Sequence, residues 1–280
     1  MNKTLRNLLI FLLCAALAVG GFFVIRRLLD YKHSKENYDA ARVLAALPEE
    51  LPAVPEPAPS MPETPEETSD STQPSAPVPQ EPQDPYIELL KTIDLSALQN
   101  ANPDVVGWIL IPDTVVSYPI LQAENNRYYL RKNWLQEYSF VGSIFMECQN
   151  RTDLNQFNTL IYGHNMQDGS MFSNLKDYQD QEYWQEHPYI YIATAEQVKR
   201  YEVFAAYVAG TWEEAYSLEL ERFAPEHRQS FIDFSLKESE IDTGIVPTVD
   251  DSILTLSTCT GNGGAKSSVR WVVQAVCPAK

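Results

Sequence analysis

Three residues of this chain are suited to acyl transfer through a thiol: Cys259, His164 and Arg270. The thiolate is the nucleophile, and a free thiol is mostly protonated at neutral pH, so a neighbouring cation is needed to stabilise the anion. Cys259 closes the run Thr255-Leu256-Ser257-Thr258-Cys259, an apolar, β-prone segment that delivers the cysteine at its end. Of the four histidines, His33 lies beside an N-terminal apolar span, His187 precedes Pro188 in a loop and His227 falls in a polar helical stretch. Only His164 follows a buried-looking strand, Thr159-Leu160-Ile161-Tyr162, and its neighbours Gly163 and Asn165 permit a tight turn. Arg270 interrupts an otherwise apolar strand, Val269-Arg270-Trp271-Val272-Val273. It reads as a fixed cation for the oxyanion of a tetrahedral intermediate; the plainer reading is a salt bridge to one of the many carboxylates. Strand alternation puts Ser257 on the face of Cys259, and Tyr162 on the face of His164. Side chains two residues before the reactive groups therefore line the same groove.

The elements that must hold these residues are mostly strands. Short β-like runs recur at 105–111, 115–121, 142–146, 159–162, 189–193, 200–209, 253–257 and 269–276, bounded by Pro, Gly, Asn and Asp. About eight short strands suggest a barrel or sandwich rather than a parallel βαβ sheet. Residues 86–98 read as a helix, with Ile87, Leu90 and Ile93 at three-residue spacing. Helical insertions are expected at 170–178 and 225–239, the second with Phe231, Phe234 and Leu236 as core contacts. It lies in a long connection before the cysteine strand, and connections of that length are more often functional than idle.

The rest of the chain is not part of this domain by composition. Residues 8–25 form an uninterrupted apolar run long enough to span a bilayer. A retained anchor is favoured over a cleaved signal peptide because the run continues through Val24 and Ile25. Residues 1–7 then form a short basic start and 26–47 a helix-like juxtamembrane stub. Between Arg42 and Lys91 there is no Lys or Arg, and most prolines fall there among many acidic residues. Residues 48–85 are expected to be a disordered spacer, with a reach on the order of 100 Å in polyproline geometry. The net charge of −17 argues against a nucleic-acid partner. Four cysteines without a CxxC pair suit neither zinc nor a disulfide framework, so no metal or cofactor is expected. Cys148 and Cys277 read as packing residues, with a bridge between them as the alternative.

Taken together, these motifs resemble a class B sortase, a membrane-anchored cysteine transpeptidase of Gram-positive bacteria. The matching stretches are NPDVVGWILIPDTVVSYP (102–119), residues 126–130, GSIFM (142–146), NTLIYGHNMQDGSMFSNL (158–175), and residues 254–259 followed by Arg270. The resemblance implies a mainly β fold: an eight-stranded sortase barrel with an N-terminal helix and a helix-bearing connection before the cysteine strand, over residues 86–280. It implies that Cys259 attacks a C-terminal sorting signal of exported proteins after Thr and forms a thioester. His164 serves as acid and then base, and Arg270 holds signal and oxyanion. The acceptor is an amino group of a peptidoglycan precursor or, alternatively, a pilin lysine; a membrane-tethered thiol peptidase is a further alternative. Asn126, Leu130, Tyr162, Ser257 and Thr260 are implied as groove residues, although some class B relatives carry an acidic residue where Thr260 stands. The Gly261-Asn262-Gly263-Gly264 loop is expected to gate the groove. Exported substrates place the domain outside the cell, with the N-terminus in the cytoplasm.

Overall fold

The computed structural model describes residues 3–48, 51–52, 84–259 and 268–279, with the backbone alone at Leu8 and Cys259. Eight strands close into a barrel: β1 (Val105–Leu110), β2 (Ser117–Leu121), β3 (Ile144–Met146), β4 (Asn158–Tyr162), β5 (Tyr189–Ala193), β6 (Val198–Gly210), β7 (Ser252–Cys259) and β8 (Val269–Cys277). The order around the barrel is β1-β2-β3-β4-β7-β8-β6-β5. The pairs β2–β3 and β4–β7 are parallel, and the other neighbours are antiparallel. The expected mainly β barrel is therefore the fold, with strand limits within a few residues of the sequence reading.

The main apolar core includes Trp108, Ile109, Ile161, Leu254, Leu256 and Val273, all essentially inaccessible to water. A second apolar cluster lies outside β6. There α5 (Pro225–Glu238), from the long β6–β7 connection, sets Phe231 and Ile232 against Phe204 and Tyr207, while Phe234 and Leu236 are partly buried. The insertion expected at 170–178 is a 3-10 helix, Ser173–Gln179, and the short α4 (Gln181–Glu186) follows it.

The helix expected over 86–98 is two helices, α2 (Pro85–Lys91) and α3 (Leu95–Ala101). Each helix has its own aspartate N-cap, and Asp94 is the one that causes the break. Asp84 accepts from the backbone N–H groups of Tyr86 and Ile87, and Asp94 accepts from that of Ala97. An Asp at an N-cap satisfies donors that a continuing helix would bond internally.

At the N-terminus, α1 (Lys3–Leu44) is one continuous helix, without a break between the apolar span and the residues read as a stub. Its apolar first half is exposed. Its second half has a narrow buried stripe, with Ser34, Tyr38, Ala41 and Ala45 at helical spacing. Tyr38, Ala41, Ala45 and Leu47 belong to the main barrel core, so this part of the helix is built into the barrel domain. The helix ends at Ala46 in the left-handed region (φ 57°). The Leu47 N–H returns to the Arg42 carbonyl, and Pro48 follows, a helix-terminating pattern. The chain re-enters the domain at Asp84, whose carboxylate also accepts from Tyr191 and Arg200. Before that, the Pro52 carbonyl accepts from Tyr86 Oη at 2.6 Å. Both flanks of residues 53–83 thus lie on the domain, and the chain reaches the domain before the proline-rich segment rather than after it. The segment expected as a spacer otherwise lies outside the described residues.

Candidate active site

Two strand pairings bring the three reactive residues to one rim of the barrel. β4 runs parallel to β7 with Tyr162 opposite Ser257, and the Gly163 N–H continues the ladder to the Ser257 carbonyl at 3.1 Å. His164 and Cys259 each stand two residues beyond that last pair. β7 runs antiparallel to β8 with Cys259 opposite Arg270. Histidine, cysteine and arginine thus lie at the ends of three adjacent strands, His164 two residues past the end of β4. Gly163 allows the close approach: a Cβ there would lie 2.5 Å from Ile144 Cδ1 and 2.6 Å from the Phe172 ring.

The His164 ring is half-buried, with Nε2 2.8 Å from the Leu130 carbonyl. A carbonyl only accepts, so Nε2 carries the proton in the neutral ring and Nδ1 is left for proton transfer. The His164 carbonyl accepts from the Phe172 N–H at 3.0 Å, which fixes the loop beyond. Behind the ring stands Gly142, in the left-handed region (φ 67°), where a Cβ would lie 2.8 Å from His164 Cδ2. Burial lowers the pKa of His164 from its ordinary value; the positive charges of Arg131 and Arg270 act in the same direction, and the bond to Leu130 opposes them. Arg270 is half-buried and donates from Nη1 to the Val269 carbonyl at 3.0 Å. The site therefore sets a largely neutral imidazole and a permanent cation beside a thiol-bearing strand end, which suits proton transfer and oxyanion binding in acyl chemistry.

The remaining expected groove residues are close by, but several are tied to the protein. Leu130 is partly exposed (37%) and holds His164 through its carbonyl. Ser257 is buried, with Oγ 2.8 Å from Tyr216 Oη. Asn126 donates from Nδ2 to Glu147 Oε2 at 2.5 Å, and Tyr162 Oη donates to the same oxygen at 2.8 Å. The Asn126 carbonyl oxygen accepts from the Cys148 N–H at 2.8 Å. Burial and the Glu147 charge push the Tyr162 phenol up, so it stays a protonated donor. The same two causes raise the Cys148 thiol, which lies 3.2 Å from Glu147 Oε1. Thr260 and the 261–264 loop lie outside the described residues.

Glu147, Tyr216 and Gly142 were not singled out from the sequence. Glu147 had one available signal, a carboxylate directly after the apolar GSIFM run, since an acid there must be paired to be buried. The other three histidines lie elsewhere. His33 faces Glu137 at 3.8 Å, His187 Nδ1 is 3.2 Å from the Pro112 carbonyl, and His227 is exposed on α5. Cys148 and Cys277 are free thiols, with no bridge between them. Cys277 ends β8 at the opposite end of the barrel from Arg270.

The description "Sortase domain" matches residues 109–277 of this chain. The sortase B of Listeria monocytogenes serovar 1/2a is 37% identical over 166 residues, covering 59% of this chain and 67% of that protein. The sortase B of Staphylococcus aureus is 34% identical over 163 residues, covering 58% and 66%. The chain thus matches about two thirds of the length of these curated relatives. Among solved structures, an S. aureus sortase B–substrate complex superposes with a TM-score of 0.61 at 32% identity, covering 66% of this chain and 85% of that one. The barrel, the rim that unites His164, Cys259 and Arg270, and these similarities lead to one conclusion: the chain belongs to the sortase family, with sortase B proteins as its relatives.

Proposed function

We propose that this sortase is a membrane-anchored transpeptidase that joins exported proteins to an amino group of a peptidoglycan precursor. Cys259 gives its proton to His164, and the resulting thiolate attacks the carbonyl carbon of Thr in a C-terminal sorting signal. The oxyanion of the tetrahedral intermediate is held by Arg270. The C–N bond breaks as protonated His164 gives its proton to the leaving amine, and a thioester remains. An incoming amine then attacks the thioester, His164 takes its proton, and the thiolate leaves. One amide is broken and one is formed; water in place of the amine gives hydrolysis. Asn126, Leu130, Tyr162, Ser257 and Thr260 form the groove for the signal, with Tyr216 bonded to Ser257 and Glu147 holding Asn126 and Tyr162. Residues 8–25 anchor the chain with residues 1–7 in the cytoplasm, and the catalytic domain faces outward, where exported chains are.

The observation that carries this reading is the strand register: Tyr162 opposite Ser257, and Cys259 opposite Arg270. The sortase B–substrate complex among the structural neighbours supports a substrate groove in the same fold. The test incubates the protein with quenched sorting-signal peptides and looks by mass spectrometry for a thioester on Cys259 and for transfer to glycine or lysine amines. An adduct that disappears in Cys259→Ala is expected. No adduct with any peptide, or equal activity in Cys259→Ala, refutes the reading, and transfer to lysine alone redirects it to pilin polymerisation.

A further inference from the structure

The contact between α1 and the site rim sets the height of the catalytic groove. Arg27 lies two residues beyond Ile25, the last residue of the apolar run. Its Nη2 donates to Gln167 Oε1 at 3.3 Å, and Gln167 is the third residue after His164. The Arg27 guanidinium also lies 5.5 Å from the centre of the Phe140 ring, against which Tyr31 packs edge-on at 4.9 Å. From this level α1 descends along the barrel. Trp134 Nε1 donates to the Asn37 carbonyl, Tyr38 Oη bonds the Gly142 carbonyl, and the Ala45 carbonyl accepts from Asp94 N–H next to α3. The loop that carries Gln167 is thus the part of the site nearest the apolar run, while His164 itself is backed by Gly142, whose carbonyl meets Tyr38 further along the helix. At about 1.5 Å of rise per residue, Ile25 and Arg27 differ by about 3 Å along the helix.

Two further observations concern what covers this end. Leu28 and Leu29 on α1 are exposed (62% and 61%) although they lie beyond Arg26 and Arg27, so the helix still offers an apolar face where it meets the rim. The rim itself exposes Tyr138 in the loop beside α1 (71%) and Trp212 just past the end of β6 (72%). Arg26, Arg27, Lys32 and Lys35 follow the apolar run along α1. Exposed Tyr and Trp with basic residues at the end of an apolar span is the composition found at a membrane–water interface.

We propose that the loop after His164 rests on the bilayer surface, so that the groove opens toward the headgroup layer with Gln167, Tyr138 and Trp212 in the interface. The occupant of this exposed face is the lipid headgroup layer. The groove then meets substrates whose reacting groups are held at the membrane, namely an exported chain arrested there or an acceptor amine on a lipid-linked precursor. This rests on the reading of α1 as a membrane anchor.

The test reconstitutes the full chain into vesicles of neutral and anionic phospholipids, with Cys148 and Cys277 replaced by Ala and Cys259→Ala removing the reactive thiol. A single cysteine carries an environment-sensitive fluorophore: the native Cys14, or, with Cys14 also replaced by Ala, Gln167→Cys, Trp212→Cys or Glu196→Cys. Glu196 is exposed in the β5–β6 turn at the opposite end of the barrel. Lipids with a quencher near the headgroup are expected to remove most emission at 167 and 212 and little at 196, while mid-chain quenchers act on Cys14. Equal quenching at 167 and 196 with Cys14 quenched overturns the proposal and leaves the anchor standing; an unquenched Cys14 removes the anchor reading itself. Quenching at 167 and 212 that appears only at high protein-to-lipid ratio means that a second copy covers the face, which also overturns it. As a second arm, seven helix-forming polar residues inserted after Ile25 in the otherwise native chain lift the domain by about 10 Å. Transfer to a lipid-linked amine is expected to fall at least about tenfold while cleavage of a soluble peptide is unchanged. Equal rates in both assays would contradict the proposal.

Discussion

Replacing Gly142 by Ala tests whether the turn behind His164 positions the imidazole. Gly142 has φ 67°, and a Cβ there would meet His164 Cδ2 at 2.8 Å and the carbonyl oxygens of Leu130 and Tyr129 at 2.9 Å. The left-handed backbone costs Ala about 1–2 kcal/mol. The contacts fall short of a normal 3.5–4 Å separation and add about 1–3 kcal/mol of overpacking. Both carbonyls are already engaged, Leu130 with His164 Nε2 and Tyr129 with the Ser143 N–H. Relief therefore moves His164 by a sizeable fraction of an ångström. A displacement of that size costs on the order of 100-fold in rate, so kcat/KM for a sorting-signal peptide should fall about that much, with a stability loss of about 2–5 kcal/mol. The control is Gly169→Ala in the loop after His164. Its φ is 84°, yet a Cβ would touch nothing within 4 Å, so only the backbone cost applies and activity should persist. Peptide cleavage by folded protein, together with chemical denaturation, reads both quantities. A folded Gly142→Ala protein with activity within about threefold of the parent, or an equal activity loss in Gly169→Ala, would refute the positioning argument.

Other consequences follow from the same geometry. The lowered His164 pKa means that the folded state prefers the neutral ring; the associated stability is present above the ordinary histidine value of about 6.5 and is lost as pH falls from there through the lower folded value. Arg131→Gln removes one of the charges that depress it, so NMR titration of His164 should show its pKa rise, and an unchanged or lower value would contradict the electrostatic account. Glu147→Gln weakens the acceptor shared by Asn126 and Tyr162 by about 1–2 kcal/mol. Because Glu147 acts through those two side chains, KM should rise with kcat nearly kept, and a loss confined to kcat would assign it another role. A protein lacking residues 1–84 loses the burial of Tyr38 and Leu47 and should be about 3–6 kcal/mol less stable than one lacking residues 1–28; equal denaturation midpoints would show that α1 contributes nothing to the fold.

The strands were legible because each pairs apolar alternation with a turn residue at its boundary, and both signals are local. His164, Cys259 and Arg270 were legible because their chemistry is rare in apolar strands, where each demands a reason. The split between α2 and α3 was missed because the spacing of Ile87, Leu90 and Ile93 outweighed Asp94, whose side chain captures the Ala97 N–H. Glu147 and Tyr216 were missed because their partners are distant in sequence: Glu147 bonds Asn126 and Tyr162, and Tyr216 meets Ser257 across 41 positions.

The largest difference concerns α1. The apolar run and the absence of Lys and Arg between Arg42 and Lys91 describe an apolar helix long enough to cross a membrane, followed by a long acidic segment, and composition carries that much. Composition does not show where the helix leaves its exposed apolar half and becomes part of the core. That depends on Tyr38 reaching the Gly142 carbonyl and Ser143 Oγ at 2.8 and 3.0 Å, more than a hundred residues away in the chain. The stripe of Ser34, Tyr38, Ala41 and Ala45 is weakly apolar, and only a partner surface gives it meaning. Residue types and short-range periodicity thus specify the chemistry and the barrel from the chain alone. The seat of α1 against the turn behind His164 arises from packing between distant segments, whose free energy exists only once the barrel has closed.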